Sequence, residues 1–179
     1  MTPAQAGAVL NFWFSRGRDD WWRPDPAFDE EIRKHFLTLW EVEREHPPEH
    51  FLAGPDTALA AVILFDQLPR NMFRGHADQF ATDPLALAVA KGAVERGFDD
   101  GMTSERRGFL YMPFQHSEDL ADQRRSLLLF TALGDAEQLK YARLHHDVIE
   151  RFGRFPHRNR MLGRKPTALE KAAGEVVPW

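Results

Sequence analysis

The chain predicts an all-α protein of stacked antiparallel helices, forming a single domain over residues 1–179. Three observations lead there. Apolar residues recur at three- and four-residue spacing through most of the chain. Capping residues open these segments, and proline or glycine closes them. No strand-like alternation with turn signals competes with that pattern.

Thr2-Pro3-Ala4-Gln5 reads as a capping box with proline at the first helical position, and it points Val9, Leu10, Trp13 and Phe14 inward. Asp25-Pro26 opens a second helix whose Phe28, Ile32, Phe36, Leu39 and Trp40 share a face, and it ends before Pro47-Pro48. A third runs from about Asp56 to Leu68. It is apolar on every side between Ala58 and Phe65, as expected of a helix buried all round. Asp83-Pro84 caps a fourth through Arg96, closed by Gly97. A short helix from Ser104 stops at Met112 before Pro113. Ser117 caps the next, through Leu133, with Glu118 and Asp119 in its first turn. Asp135 starts another that Gly153 ends, and Thr167-Ala168-Leu169-Glu170 caps a short last one. Paired helices with short links suggest a hairpin stack, although no full repeat of about 34 residues is visible.

Composition narrows the function classes. Hydrophobic residues make up 43% of the 179 residues, which belongs to an ordered globular chain. Cysteine is absent, excluding disulfides and thiolate zinc sites and suiting a reducing compartment, so a cytoplasmic location is expected. The N-terminus lacks the basic n-region of a signal peptide, and the best apolar run, Ala58 to Phe65, is far too short to span a membrane. A net charge of −4 argues against nucleic acid as a partner, even though six cations crowd Arg151–Lys165.

A few polar residues break the apolar pattern. Asp66 falls in line with Leu59 and Val62 near a helix C-terminus, where a carboxylate needs a cation, and Arg70, Arg74 and Arg158 are candidates. His145 falls in the middle of an apolar arc of the helix after Asp135, with His146 at its edge. His116 stands just before a helix start, and Gln123 and Arg124 share a face with Leu120 and Leu127, Arg124 able to snorkel or to clamp an anion. Metal-ligand types exist in His116, Glu118, His145, Asp147 and His157. They show none of the recognised spacings, so no metal and no cofactor is expected. Ser117, His145 and Asp66 could formally make a triad, but the glycine pattern of a nucleophile elbow is missing, as are phosphate-loop and dinucleotide fingerprints.

Two segments echo one another: Leu68-Pro69-Arg70-Asn71 and Phe155-Pro156-His157-Arg158-Asn159. One leaves an acid-bearing helix and the other follows a glycine stop and carries bases. The expectation is that they meet, Asp66 against Arg158 or Arg154, as the floor of one pocket.

"NFWF", "DQLPRNMFRGHADQFATDPLALAVA", "GFLYMPFQHSEDLADQ" and "YARLHHDVIERFGRFPHRNRMLGR", in that order, resemble the bacterial domain-of-unknown-function family 924. The resemblance implies a helical fold of the tetratricopeptide-like superfamily and no particular activity. His145 and Asp147 match the family's His-Arg-Asp pattern, and His146 departs from it.

Three functions follow as expectations. The first is a pocket for a small anionic ligand, joining Asp66, Arg70 and Asn71 to His116, Arg124, His145, His157, Arg158 and Asn159. The second is an enzyme, with His145 or His116 as general base and Asp66 or Glu118 as orienter or acid in hydrolysis or proton transfer. The third is a peptide or protein interaction module, anchored by Trp21, Trp22 and Trp179. The sequence leaves the oligomeric state and the choice between catalysis and binding open.

Overall fold

The structure, a computed structural model, describes residues 1–174 and 176; the side chains of residues 18 and 19 fall outside that description, as does Trp179, the expected anchor. All regular structure among the described residues is helical. The chain divides into two compact units, Met1–Pro113 and Phe114–Trp179.

In the first unit, α1 (Pro3–Phe14) starts with the expected capping box, in which Gln5 N–H donates to Thr2 Oγ1 and Thr2 N–H to Gln5 Oε1. A short α2 (Arg18–Trp22), which the apolar spacing does not announce, follows; Trp21 Nε1 donates to the Trp13 carbonyl at 3.0 Å. Asp25 caps α3 (Pro26–Glu43) by accepting from Ala27 and Phe28 N–H. A 3₁₀ turn, Pro48–Phe51, leads to α4 (Pro55–Val62). Every residue from Ala58 to Phe65 is fully buried, as the all-round apolar pattern requires. Helix α1 packs on α4, and α4 on α6 (Asp83–Glu95).

The helical path does not stop at Leu68. It widens into a π turn, Ile63–Gln67, and continues as α5 (Leu68–Met72), with Pro69 inside the continuous helical run. Proline has no N–H, so the Phe65 carbonyl one turn earlier lacks its α-helical donor. Thr82 Oγ1 supplies one at 2.6 Å, and Trp40 Nε1 in turn donates to Thr82 Oγ1 at 3.1 Å. The side chain of Arg70 donates to the Asp66 carbonyl, and the Leu68 N–H reaches back five residues to Ile63. Helix-breaking at this proline is thus compensated by side chains from α3, from Thr82 and from Arg70.

Two further expectations are corrected. Asp83 does not cap α6 with its side chain; it is the first helical residue, and its carboxylate takes Arg70 instead. Helix α7 runs from Ser104 through Pro113 to His116, its residues Phe109 to Met112 and Phe114 all buried, so burial carries the helix past its proline.

In the second unit, α8 (Leu120–Leu133) is capped by Asp119, which accepts from Ala121 and Asp122 N–H. Ser117 instead accepts from the Asp119 N–H and donates to Asp122, building the turn before the cap. Gly134 (φ +79°) and the cap Asp135 reverse the chain into α9 (Ala136–Phe152), which packs on α8. The left-handed Gly153 (φ +69°) ends α9. A 3₁₀ turn, Pro156–Arg158, and α10 (Ala168–Ala173) complete the unit, α10 opening with the expected Thr167–Glu170 capping box.

Candidate functional site

The buried face of α9 carries Ala142, His145 and Ile149. His145 Nδ1 lies 2.8 Å from the Tyr141 carbonyl, one helical turn earlier. A carbonyl only accepts, so Nδ1 carries the proton and Nε2 is the acceptor. The His116 ring lies 5.8 Å from the His145 ring, and Phe155 meets His145 edge-on at 5.6 Å. His157 also packs against Phe155, tilted and at 5.6 Å between centroids. The Arg158 guanidinium covers the Phe155 ring at 4.4 Å and donates to the His116 carbonyl at 3.1 Å. Phe155 is therefore a hub: a fully buried ring that spaces two imidazoles and a guanidinium.

The electrostatics follow from that crowding. Burial, with like charge from His116 and Arg158, pushes His145 down to about 2 against a hydrogen bond that favours its protonation. His157 is pushed down to about 4, by burial first and by Arg158 next, with Glu118 opposing. The cluster is rich in cationic types that mutually suppress their own charge.

Glu118, expected as orienter or acid, is paired with Arg164 beside the cluster. Arg164 grips both of its oxygens at 2.6 and 3.0 Å, and the Phe155 N–H donates to it at 2.7 Å. Burial alone would raise its carboxyl; Arg164 and the Phe155 N–H hold it below the usual range. Its role here is to fix the loop that presents Phe155, His157 and Arg158. Arg154 and Asn159 are likewise committed: both donate to Glu170, Arg154 at 2.7 and 2.9 Å and Asn159 at 3.1 Å. Arg124 is exposed. The buried polar residue on that helix is Gln123, which donates to the carbonyls of Gln115 and Ser117 at 2.7 and 2.6 Å. One turn on, Ser126 is fully buried, and among the described residues neither Ser126 Oγ nor Gln123 Oε1 has a hydrogen-bond partner.

The remaining candidates belong to the first unit. Asp66 is fully buried, takes a hydrogen bond from Gln67 Nε2 at 2.5 Å, and lies 3.5 Å from Arg70. Arg70 is clamped on both oxygens of Asp83 at 2.9 and 3.1 Å. Asn71 donates to Asp29 at 2.8 Å, and Arg74 grips the same carboxylate at 2.7 and 2.8 Å. Sequence reasoning missed Asp29, Glu170 and Arg164. Asp29 and Glu170 both read as ordinary first-turn acids of a helix; nothing local announces the arginine that each receives from elsewhere. Of the tryptophan anchors, Trp21 stacks on Trp13, whereas Trp22 is 57% exposed.

No helix among the described residues is long and apolar enough to cross a membrane. No curated protein matches the chain. A solved structure of a protein of unknown function from Agrobacterium tumefaciens is 40% identical, with a TM-score of 0.88 over 97% of this chain and 98% of that one. The family model described as "Bacterial protein of unknown function (DUF924)" matches residues 9–173, and the chain belongs to that family.

Proposed function

We propose that the second unit binds a small anion, a carboxylate or phosphate carried by a metabolite, at the cluster of His116, His145, His157 and Arg158. The observation that carries this reading is the grouping itself: two imidazoles and the Arg158 guanidinium around the Phe155 ring, with His116 beside His145. Burial first, and then the like charge of Arg158 and His116, pushes both His145 and His157 below the usual histidine value. The Glu118 carboxylate, which opposes the shift of His157, is gripped by Arg164. A bound anion reverses that balance, drawing protons onto His157 first because it needs the smaller shift. The buried Gln123 Oε1 and Ser126 Oγ add polar groups on the helix packed against α9.

Phosphate and a panel of small carboxylates should raise the melting temperature, more strongly at pH 6 than at pH 8. In nitrogen-15 spectra of the imidazoles, His157 should titrate higher with the anion present. His157→Gln and Arg158→Gln should remove both effects. A panel that moves neither melting temperature nor imidazole shifts sinks the reading. Proton transfer by His145 is the second reading, supported by the Tyr141 hydrogen bond that leaves Nε2 as the acceptor. With its protonation held down to about 2, His145 becomes a useful base only when an anion is present; His145→Ala abolishing turnover while anion binding persists would favour it. A cytoplasmic setting and tetratricopeptide-like stacking of the hairpins complete the proposal, the former resting on the cysteine-free composition and the latter on the paired helices α8 and α9.

A further inference from the structure

Glu43, His46 and His50 lie in the first unit and take no part in the cluster above. Glu43 is the last residue of α3. The His46 N–H folds back onto the Glu43 carbonyl at 3.1 Å, and His50 is carried by the 3₁₀ turn Pro48–Phe51. Pro47 and Pro48 stiffen the short link between the two histidines. One carboxylate oxygen of Glu43 and one ring nitrogen of each histidine lie within 4.8 Å of one another. His50 Nε2 is 3.5 Å from Glu43 Oε2. Two ligands bonded at about 2 Å to a tetrahedral ion lie roughly 3.4 Å apart, so this edge already fits. The two imidazoles stack with centroids 4.2 Å apart and planes 15° from parallel.

Charge supplies an independent reason. Glu43 is only 4% exposed, and a buried carboxylate demands a cation or several donors. Glu43 Oε2 receives no hydrogen bond of ordinary geometry among the described residues. What faces it is positive charge: the Met1 ammonium is 2.8 Å from Glu43 Oε2 and 2.5 Å from His50 Nε2. This corner therefore already stabilises a cation between a buried carboxylate and an imidazole.

We propose that Glu43, His46 and His50 form a binding site for a divalent transition metal of the zinc class. Two imidazoles and one carboxylate suit zinc, nickel or copper and disfavour calcium and magnesium, which take oxygen ligands. Three protein ligands leave a coordination position for water. The other set of suitable spacing, His146, Asp147 and Glu150, makes a useful control. Its two carboxylates are exposed on α9 and solvated, so no buried charge there calls for a metal.

The test uses tag-free, full-length protein stripped with a chelator and titrated calorimetrically with zinc chloride, with cobalt chloride as an optical probe. One equivalent of zinc should bind, the melting temperature should rise, and cobalt should give the visible bands of a low-coordinate site. The double change His46→Gln/His50→Gln should abolish all three responses. Both side chains are exposed, so that variant should keep the wild-type circular dichroism. His146→Gln should bind zinc like wild type. Absence of saturable uptake by the intact protein overturns the site, as does uptake that survives the double change or is lost in His146→Gln.

Discussion

The two Pro–Asn corners solve the same packing problem and then part ways. At Leu68–Asn71, the asparagine donates to Asp29, which Arg74 grips with two hydrogen bonds. At Phe155–Asn159, the asparagine donates to Glu170, which Arg154 grips with two hydrogen bonds. In both places a buried carboxylate is shared by one asparagine and one arginine. Burial alone would raise Asp29, yet Arg74 and Asn71 hold it below the usual carboxylate value. Arg154 foremost holds Glu170 down to about 2. The echo is a repeated way of seating an acid, so neither asparagine needs a ligand to explain it. The corners differ in the residues before the asparagine. Arg70 is neutralised by Asp83 and Asp66, whereas His157 and Arg158 stand among further imidazoles. Ion pairs account for the first set of charges; the second set is held by burial and by contacts around the Phe155 ring.

The largest expected effect comes from breaking the neutralised corner. Arg70→Met strands two carboxylates, one of them fully buried, and should cost about 3–5 kcal/mol in urea unfolding. A loss below about 1 kcal/mol would mean that Asp66 and Asp83 are satisfied without Arg70. The two asparagines offer a matched pair. Asn71→Ala and Asn159→Ala each deprive a buried carboxylate of a donor, and each should cost about 1–3 kcal/mol. Markedly unequal losses would break the structural equivalence of the corners.

How far these corners could be read in the sequence depends on how local their physics is. Capping boxes at Thr2 and Thr167, the cap at Asp25 and the glycine stop at Gly153 lie within a few residues of what they satisfy, and each is legible as a pattern. His145 was legible too, because a histidine in an apolar arc is visible on a helical wheel. The Ser117 cap and the stops at Leu68 and Met112 fail for different reasons. Asp119, two residues on, takes the cap from Ser117; Thr82, thirteen residues beyond Pro69, supplies a donor to the carbonyl that the proline leaves short; and burial carries α7 past Pro113. Arg74 on Asp29 and Arg164 on Glu118 are 45 and 46 residues apart in sequence, beyond the reach of any spacing rule.

Thr82 itself tests why the first corner keeps its helix. Thr82→Val removes the donor to Phe65 and the acceptor for Trp40, and should cost about 1–3 kcal/mol. Combined with Pro69→Ala, which restores a backbone N–H one turn after Phe65, the cost of Thr82→Val should shrink. Strict additivity in that double-mutant cycle would uncouple the threonine from the proline.

Acid separates the corners with the smallest but most discriminating effect. Both His157 and His145 are held neutral in the fold, at about 4 and about 2, against roughly 6.5 in the unfolded chain. Below pH 6.5 the unfolded chain therefore takes up protons that the native second unit refuses, and stability falls as pH is lowered. His157's share of that loss is complete near pH 4, and His145's continues toward pH 2. Asp29 has the opposite window: held below its ordinary 3.8, it contributes stability above that value and loses it only at lower pH. Between pH 6.5 and 4, hydrogen exchange should thus weaken in α9 while α3 and α5 stay protected. His157→Gln should flatten the decline across that interval, and phosphate should flatten it in wild type by stabilising the protonated ring. If α3 and α5 lose protection in step with α9 across that interval, or the glutamine variant declines as steeply as wild type, the imidazole cluster is not what distinguishes the second corner.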